Sequence, residues 1–161
     1  MSVLIGDLIA MAETQEWRAR DAAWWRGLTK KRRGEMAEAA FLHKASTLGF
    51  GVSKPWGDSE PYDLIVDSGS GLWRVQVKSS YRSNKYGGYM ICAHGNRRKT
   101  SYSLKEIDAL VAYIVPEDLW YVLPVSLFRK IKSLRLYPKP GRVPSKYNMY
   151  REEWQLLGGK P

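Results

Sequence analysis

One short stretch of the sequence, LWRVQVKSS at residues 72–80, combines the alternation of a β-strand with polar groups that could do chemistry. Valines alternate with Gln76 and Lys78, so an amide and an ammonium group share one face of the predicted strand. The preceding YDLIVD predicts a second strand that starts near Asp63, and an SGSG turn joins the two as a hairpin. The start of the first strand lies beside the end of the second, so we expect Asp63 to approach Gln76 and Lys78.

These three groups suit a hard divalent cation, Mg²⁺ or Mn²⁺, together with a reacting phosphate. Carboxylate and amide oxygens bind such a cation, which lowers the pKa of a bound water and polarises the phosphate. Lys78 would position that water or stabilise the charge that develops on the phosphate. The alternative is a surface hairpin with a solvated outer face, because Asp–Lys cross-strand pairs are common. The hairpin taken alone leaves both interpretations open.

The charge of the chain favours a polyanionic partner. Its 26 Lys and Arg residues against 16 Asp and Glu residues give a net charge of +10. Many of these cations form three blocks, at residues 30–33, 97–99 and 129–151. No lipid anchor or strongly apolar helix face accompanies the blocks, which favours nucleic acid over an anionic membrane. A solvated basic surface is the alternative interpretation. The candidate phosphate contacts are Lys30, Lys31, Arg32, Arg33, Arg97, Arg98, Lys99, Lys139, Arg142 and Lys146.

The elements that must position these groups can be outlined from periodicity. Residues 2–48 indicate helices, the last of which, GEMAEAAFLHKASTLGF, ends at the C-cap glycine Gly49. Six predicted strands and two short helices follow. The pattern predicts an α/β domain with a mixed central sheet flanked by helices. The strands are FGVSK, YDLIVD, LWRVQVKSS, YMICAH, IDALVAYIV and LWYVLP, and the short helices are VSLFRKI and YREEWQLL.

The order of these parts resembles that of a known family. A G-x-x-x-E helix containing Glu38 precedes the pair Gly49–Phe50, then a short strand, then Asp63, then Gln-Val-Lys. This order resembles the PD-(D/E)XK nucleases, in particular the group I intron-encoded homing endonucleases and the archaeal Holliday-junction resolvases. PYDLIVD…LWRVQVKSS is similar to the intron-endonuclease pattern, in which Gln replaces the usual acidic residue. YSLKEIDALVAYIVPEDLWYVLP is similar to the segment that follows there, and the resemblance covers about residues 34–127.

The resemblance implies a restriction-endonuclease-like core and a metal-dependent endodeoxyribonuclease. It assigns catalytic roles to Glu38, Asp63, Gln76 and Lys78. Asp63, Gln76 and Glu38 would hold Mg²⁺ or Mn²⁺, and a metal-activated water would hydrolyse the phosphodiester. A neutral amide at Gln76 binds Mg²⁺ more weakly than a carboxylate does. Glu35, one helical turn before Glu38, is a competing candidate. Supporting roles are assigned to Ser79, Tyr102 and Asp108.

The resemblance also suggests an organisation in three parts. Residues 1–33 form an N-terminal helical extension, residues 34–127 the nuclease core, and residues 128–161 a basic segment that packs on the core or contacts DNA. We expect the DNA partner to be double-stranded or branched. Since one site cuts one strand, we expect a homodimer or homotetramer, for which Trp17, Trp24 and other N-terminal aromatics offer interface area.

Other functional classes remain as alternatives. The main one is a non-cleaving DNA-binding module on a nuclease fold, which the substitution at Gln76 favours, and another is an interaction protein built on the tryptophan-rich helices. The single cysteine, Cys92, cannot form an internal disulfide, and we expect it to be a packed thiol. With no membrane-length apolar run and no signal-peptide pattern, the expected location is the cytoplasm.

Overall fold

The structure is a computed structural model that describes residues 24–95, 100–139, 141 and 146–158. Within these residues, a helical turn at 24–27 precedes one long helix, and seven strands and four short 3-10 helices follow it. The helix is α1 (Lys30–Thr47), and the strands are β1 (Gly51–Ser53), β2 (Leu64–Asp67), β3 (Leu72–Ser80), β4 (Tyr89–Cys92), β5 (Ala109–Ile114), β6 (Leu119–Pro124) and β7 (Ser133–Leu136).

Five of these strands form one mixed sheet in the order β1-β2-β3-β5-β6. The three strands β1, β2 and β3 pair antiparallel in sequence order, as the predicted hairpin requires. β3 then pairs parallel with β5, and β5 pairs antiparallel with β6. The remaining two strands, β4 and β7, form a separate antiparallel ribbon. The predicted class, an α/β fold with a mixed central sheet, is confirmed.

The central sheet is covered on both faces. On one face α1 buries Ala37, Phe41 and Ala45, which recur at helical spacing. Phe41 is fully buried, with its ring centroid 6.0 Å from that of Trp120 and 6.3 Å from that of Trp154. The β4–β7 ribbon packs on the opposite face through the other hydrophobic cluster, which contains Ile91, Leu134 and Leu136.

The long helix begins four residues earlier than Gly34, where the sequence pattern places its start. Thr29 is the N-cap, and its Oγ1 accepts a hydrogen bond from the backbone N–H of Arg32 at 3.2 Å. The cations from Lys30 to Arg33 therefore stand on the first helical turn rather than ahead of it. The other end agrees with the prediction, since Gly49 has φ +83° and follows the helix as a C-cap glycine.

The part of the chain after β3 differs most from the expectation. The sequence does not predict β7, and it places YMICAH with the central strands, whereas β4 pairs with β7. The two predicted short helices are 3-10 turns, at Val125–Phe128 and Trp154–Leu157. Trp154 and Leu157 are buried in the cluster on the α1 side of the sheet. In the part of the chain that the structure describes, no helix has the length and apolar character needed to cross a membrane.

Candidate active site

The β2–β3 hairpin brings Asp63 to the middle of β3. Leu64 pairs with Val75, and the backbone N–H of Asp63 donates to the carbonyl of Val75 at 2.9 Å. The Asp63 carboxylate oxygen Oδ2 then accepts hydrogen bonds from the backbone N–H of Val77, at 2.8 Å, and from Nε2 of Gln76. The predicted approach of Asp63 to Gln76 is therefore confirmed, and the hairpin register is what produces it.

Lys78 lies two residues further along β3, on the same face as Gln76. Its Nζ stands 5.7 Å from the ring centroid of Tyr102, whose side chain is buried. Gly95 makes room for this ring: a Cβ at that position would lie 2.9 Å from Tyr102 Cζ and collide with the hydroxyl. A glycine at 95 therefore lets the tyrosine ring lie near the Lys78 ammonium, and Lys78 is half-buried.

Glu38 reaches the same region from α1. Its Oε2 accepts a hydrogen bond from Lys54 Nζ at 2.6 Å, in an ion pair between the helix and the residue that follows β1. The negative charge of Glu38 acts on Asp63 and helps to raise the pKa of that carboxyl. Glu35 lies 3.6 Å from Arg32 in an exposed pair and also lines the cleft, but it is not among the charges that shift the pKa of Asp63.

Burial perturbs both ionisable groups at the centre. Burial raises the pKa of Asp63, against the opposing effect of the Val77 N–H, and the Glu38 charge raises it further. Burial also lowers the pKa of the Lys78 ammonium, while the Asp63 carboxylate opposes that change. An acid and a base whose burial disfavours their charged forms lie side by side, which is an arrangement typical of reactive sites.

The groups open into a cleft with two lobes that share Asp63, Gln76 and Lys78. One lobe, of about 800 Å³, extends towards the start of α1, and the other, of about 550 Å³, extends towards Gly95 and Tyr102. Among the residues lining the larger lobe are Lys30, Lys31, Arg33, Lys54, Ser79 and Cys92.

Two of the lining side chains are held in specific ways. Arg33 Nη1 donates to the Tyr81 hydroxyl at 2.8 Å, and the guanidinium carbon stands 4.5 Å from the ring centroid. Cys92 is exposed, so the prediction of a packed thiol is wrong. The reason is the alternation of β4, in which Tyr89 and Ile91 face the core and Met90 and Cys92 face outwards.

With this geometry established, comparison with known proteins identifies the family. Residues 28–157 match the family model described as PD-(D/E)XK endonuclease. The chain belongs to the PD-(D/E)XK endonuclease family. Its structure is similar to that of a bacterial homing endonuclease, I-Ssp6803I, with 36% sequence identity and a TM-score of 0.70 over 81% of this chain and 93% of that one. Among curated proteins, none matches the sequence. The predicted resemblance to PD-(D/E)XK homing endonucleases is confirmed.

Asp108, which the resemblance assigns a supporting role, lies away from the cleft. Asp108 accepts hydrogen bonds from Arg74, at 2.8 Å from its backbone N–H and at 2.9 and 3.1 Å from its guanidinium. The same guanidinium donates to the carbonyls of Leu104 and Lys105, so the pair ties β3 to the turn that follows Tyr102. Asp108 thus contacts a residue that supports the site and does not itself line the cleft.

The predicted DNA contacts fall into three groups. Lys30, Lys31 and Arg33 line the cleft, while Arg32 lies on the same helical turn. Lys139 pairs with Glu117 at 3.0 Å, and Lys146 stands over Tyr147; neither lines the cleft. The last group, together with Trp17, lies outside the described residues: Arg97, Arg98, Lys99 and Arg142.

Three residues that line the site are not predicted from the sequence. Lys54 pairs with Glu38 across 16 positions of the chain, a contact for which the local pattern carries no signal. Tyr81 directly follows β3, in a stretch that the sequence indicates only as a polar loop. Cys92 lies in a strand of apolar residues, so nothing in its immediate neighbours marks the side facing the cleft.

The donor set of the site agrees with the hard divalent cation that PD-(D/E)XK enzymes use. The described residues contain no group of three or more His, Cys, Asp and Glu side chains arranged for a metal. The oxygen donors are two carboxylates, of Asp63 and Glu38, and the amide of Gln76, and burial of Asp63 leaves its negative charge poorly compensated. A cation fits this deficit. Gln76 donates from Nε2 to Asp63, and Lys54 donates to Glu38.

Proposed function

We propose that the protein is a metal-dependent DNA endonuclease that hydrolyses phosphodiester bonds in the cleft beside Asp63. The observation that carries the proposal is the meeting of Asp63, Gln76 and Lys78 on the hairpin β2–β3, open to a cleft, in a chain of the PD-(D/E)XK endonuclease family. The similarity to a homing endonuclease supports DNA as the substrate.

In the proposed reaction Asp63, Gln76 and Glu38 would hold Mg²⁺ or Mn²⁺. When bound, the metal supplies a water of lowered pKa and polarises the phosphate. Lys78 donates hydrogen bonds to the phosphate oxygen on which negative charge builds up. Its partial burial strengthens that interaction, because the ammonium stands in a poorly hydrated site. Tyr102, packed against the lysine, limits the positions that the ammonium can take.

The start of α1 supplies the attraction for the DNA backbone. Its first turn carries cations and no acidic residue, although the positive end of a helix dipole disfavours cations by about 0.3–1 kcal/mol each. Lys30, Lys31 and Arg33 nevertheless line the cleft. Cations and a helix N-terminus that face one cleft together favour a bound polyanion, since phosphate relieves the repulsion between them.

We also propose that the working enzyme is a homodimer or a homotetramer acting on duplex or branched DNA. Two symmetry-related sites are the simplest way to cut both strands in one encounter. Trp24, the first residue that the structure describes, is 52% exposed and offers apolar area for such an interface. Light scattering on the protein, alone and with DNA, tests this part, and a monomer under both conditions contradicts it.

A non-cleaving DNA-binding module is the second candidate, and one observation favours it. Gln76 supplies a neutral amide where the family usually has an acidic residue, and a neutral amide binds Mg²⁺ more weakly than a carboxylate does. A module without catalysis would keep the basic helix turn and the cleft, and it would bind DNA without cutting it.

Incubation with DNA separates the two candidates. The protein is mixed with a library of duplexes that carry a randomised central segment, and with branched DNA, in Mg²⁺, Mn²⁺ or EDTA. We expect strand breaks in either metal and none in EDTA, with calorimetry showing Mn²⁺ binding that Asp63→Ala removes. Binding without breaks in every metal would favour the module. Breaks that persist in EDTA, or equal Mn²⁺ binding by both proteins, would contradict the metal site.

A further inference from the structure

In the described part of the chain, one large apolar side chain is completely exposed. Trp56 has 101% of its reference surface accessible, more than any other large hydrophobic residue in the described part of the chain. It belongs to the loop 54–63 between β1 and β2, where residues 56–60 are all exposed. Gly57 shapes the tip of this loop with φ +75°. An indole held in water gains free energy from any partner that covers it, so its position indicates a contact surface.

The loop places this indole at the rim of the cleft. Its sequence neighbours Pro55 and Gly57 both line the larger lobe, and Asp63, at the end of the loop, lies at the centre of the site. Lys54, at the start of the loop, is fixed to Glu38 of α1. The tip therefore stands between two anchors that belong to the site itself, and a substrate seated in the cleft lies next to the indole.

The charges of the loop indicate which part of a nucleic acid the tip can contact. Asp58 and Glu60 both line the cleft beside the neutral indole. Two carboxylates repel phosphate groups, so this loop is unlike the basic turn of α1 and is unsuited to the DNA backbone. Every base has an uncharged aromatic face, on which an indole packs. Adenine, cytosine and guanine also carry an exocyclic amino group, which can donate a hydrogen bond to a carboxylate.

We propose that Trp56 packs against a base next to the scissile phosphate and that loop 54–63 is a base-contacting element of the site. This inference rests on the proposed function, because it needs DNA in the cleft. The division of labour is between two sides of one cleft: the first turn of α1 binds phosphates, and the loop contacts bases. A packed base is displaced from its ordinary stacking, so the contact also favours DNA that deforms easily at that step.

The test compares two variants whose effects differ in kind. Trp56→Ala should weaken DNA binding by about tenfold, within the range found when an aromatic that stacks on a base is removed, without changing the slope of log affinity against log salt. Lys31→Gln, the matched control on the other side of the cleft, should flatten that slope by about 0.9. Trp56→Phe keeps an aromatic face and should restore most of the affinity.

A second readout reports on the stacking around the contacted base. A 2-aminopurine placed as the stacking neighbour of the base that Trp56 contacts should brighten when wild type binds, because the probe loses that neighbour, and should stay quenched with Trp56→Ala. If Trp56→Ala binds DNA as wild type does, or flattens the salt slope as Lys31→Gln does, the proposal is overturned. If it instead lowers the mass of the DNA-free protein in light scattering, the indole belongs to a subunit interface and the proposal is again overturned. A wild type that binds no DNA overturns the proposed function, and with it this inference.

Discussion

The first turn of α1 offers the sharpest quantitative prediction. Lys30, Lys31 and Arg33 line the cleft, whereas Lys139, which the sequence also predicts as a DNA contact, pairs with Glu117 away from it. Replacing the three cleft cations with Gln removes their charge while keeping a residue that favours helices. Replacing Lys139 with Gln is the control, because it removes one charge of the same kind from outside the cleft.

The magnitude follows from counterion release. Each phosphate contact contributes about 0.9 to the slope of log affinity against log salt, so three lost contacts should flatten the slope by about 2.7. Over a fourfold rise in salt, wild type should then lose about fortyfold more affinity than the triple variant loses. Lys139→Gln should leave the slope close to the wild-type value, although its net charge falls by one.

Fluorescence anisotropy of a labelled duplex, titrated at several salt concentrations in EDTA, measures these slopes without cleavage. Arg33 also contacts Tyr81, so a thermal melt of each variant checks that the fold is intact. Equal flattening per charge by the triple variant and by Lys139→Gln would refute the assignment of α1 as the phosphate-binding side, because it would show that only net charge matters. An unchanged slope in the triple variant would refute it as directly.

Three further predictions concern the centre and its support. The folded-state pKa of Asp63 lies above its unfolded value, so its contribution to stability is present below about pH 4 and is lost as pH rises through the folded pKa. Asp63→Asn should therefore raise the thermal midpoint of the metal-free protein near neutral pH. An equally large gain in acid would contradict this direction of the pKa shift. Gln76→Glu sets a second carboxylate beside Asp63, so it should tighten Mn²⁺ binding in calorimetry and lower the metal-free melting temperature, and weaker Mn²⁺ binding would count against Gln76 as a ligand. Phe41→Ala empties a fully buried site between Trp120 and Trp154 and should reduce the free energy of unfolding in urea by about 3–5 kcal/mol, with a loss below about 1 kcal/mol contradicting the packing described.

The centre of the site could be predicted from the sequence because it depends on one local hairpin. The alternation of β3 and the turn after β2 fix the register, and the register alone places Asp63 opposite Gln76. The role of Glu38 follows only from the family resemblance, since the helix pattern by itself assigns no chemistry to that residue.

The features that the sequence did not predict depend on distant contacts or on weak local signals. β7 is short and pairs with β4, about forty residues away, so its identity as a strand depends on that partner. Lys54 meets Glu38 only when β1 folds against α1. The start of α1 does carry one local signal, the N-cap Thr29. However, the first turn contains cations and none of the acidic residues that usually mark the start of a helix.

Single-turnover cleavage by Lys78→Ala tests the central claim most directly. The substrate is a duplex that wild type cuts, and the DNA affinity of both proteins is measured in parallel in Ca²⁺ or EDTA. Lys78 is one of 26 basic residues, so its loss should change the affinity little. Its local contact with the developing phosphate charge should make the cleavage rate fall by about a hundredfold or more. A variant that cuts at the wild-type rate would contradict the assignment of this cleft as the active site.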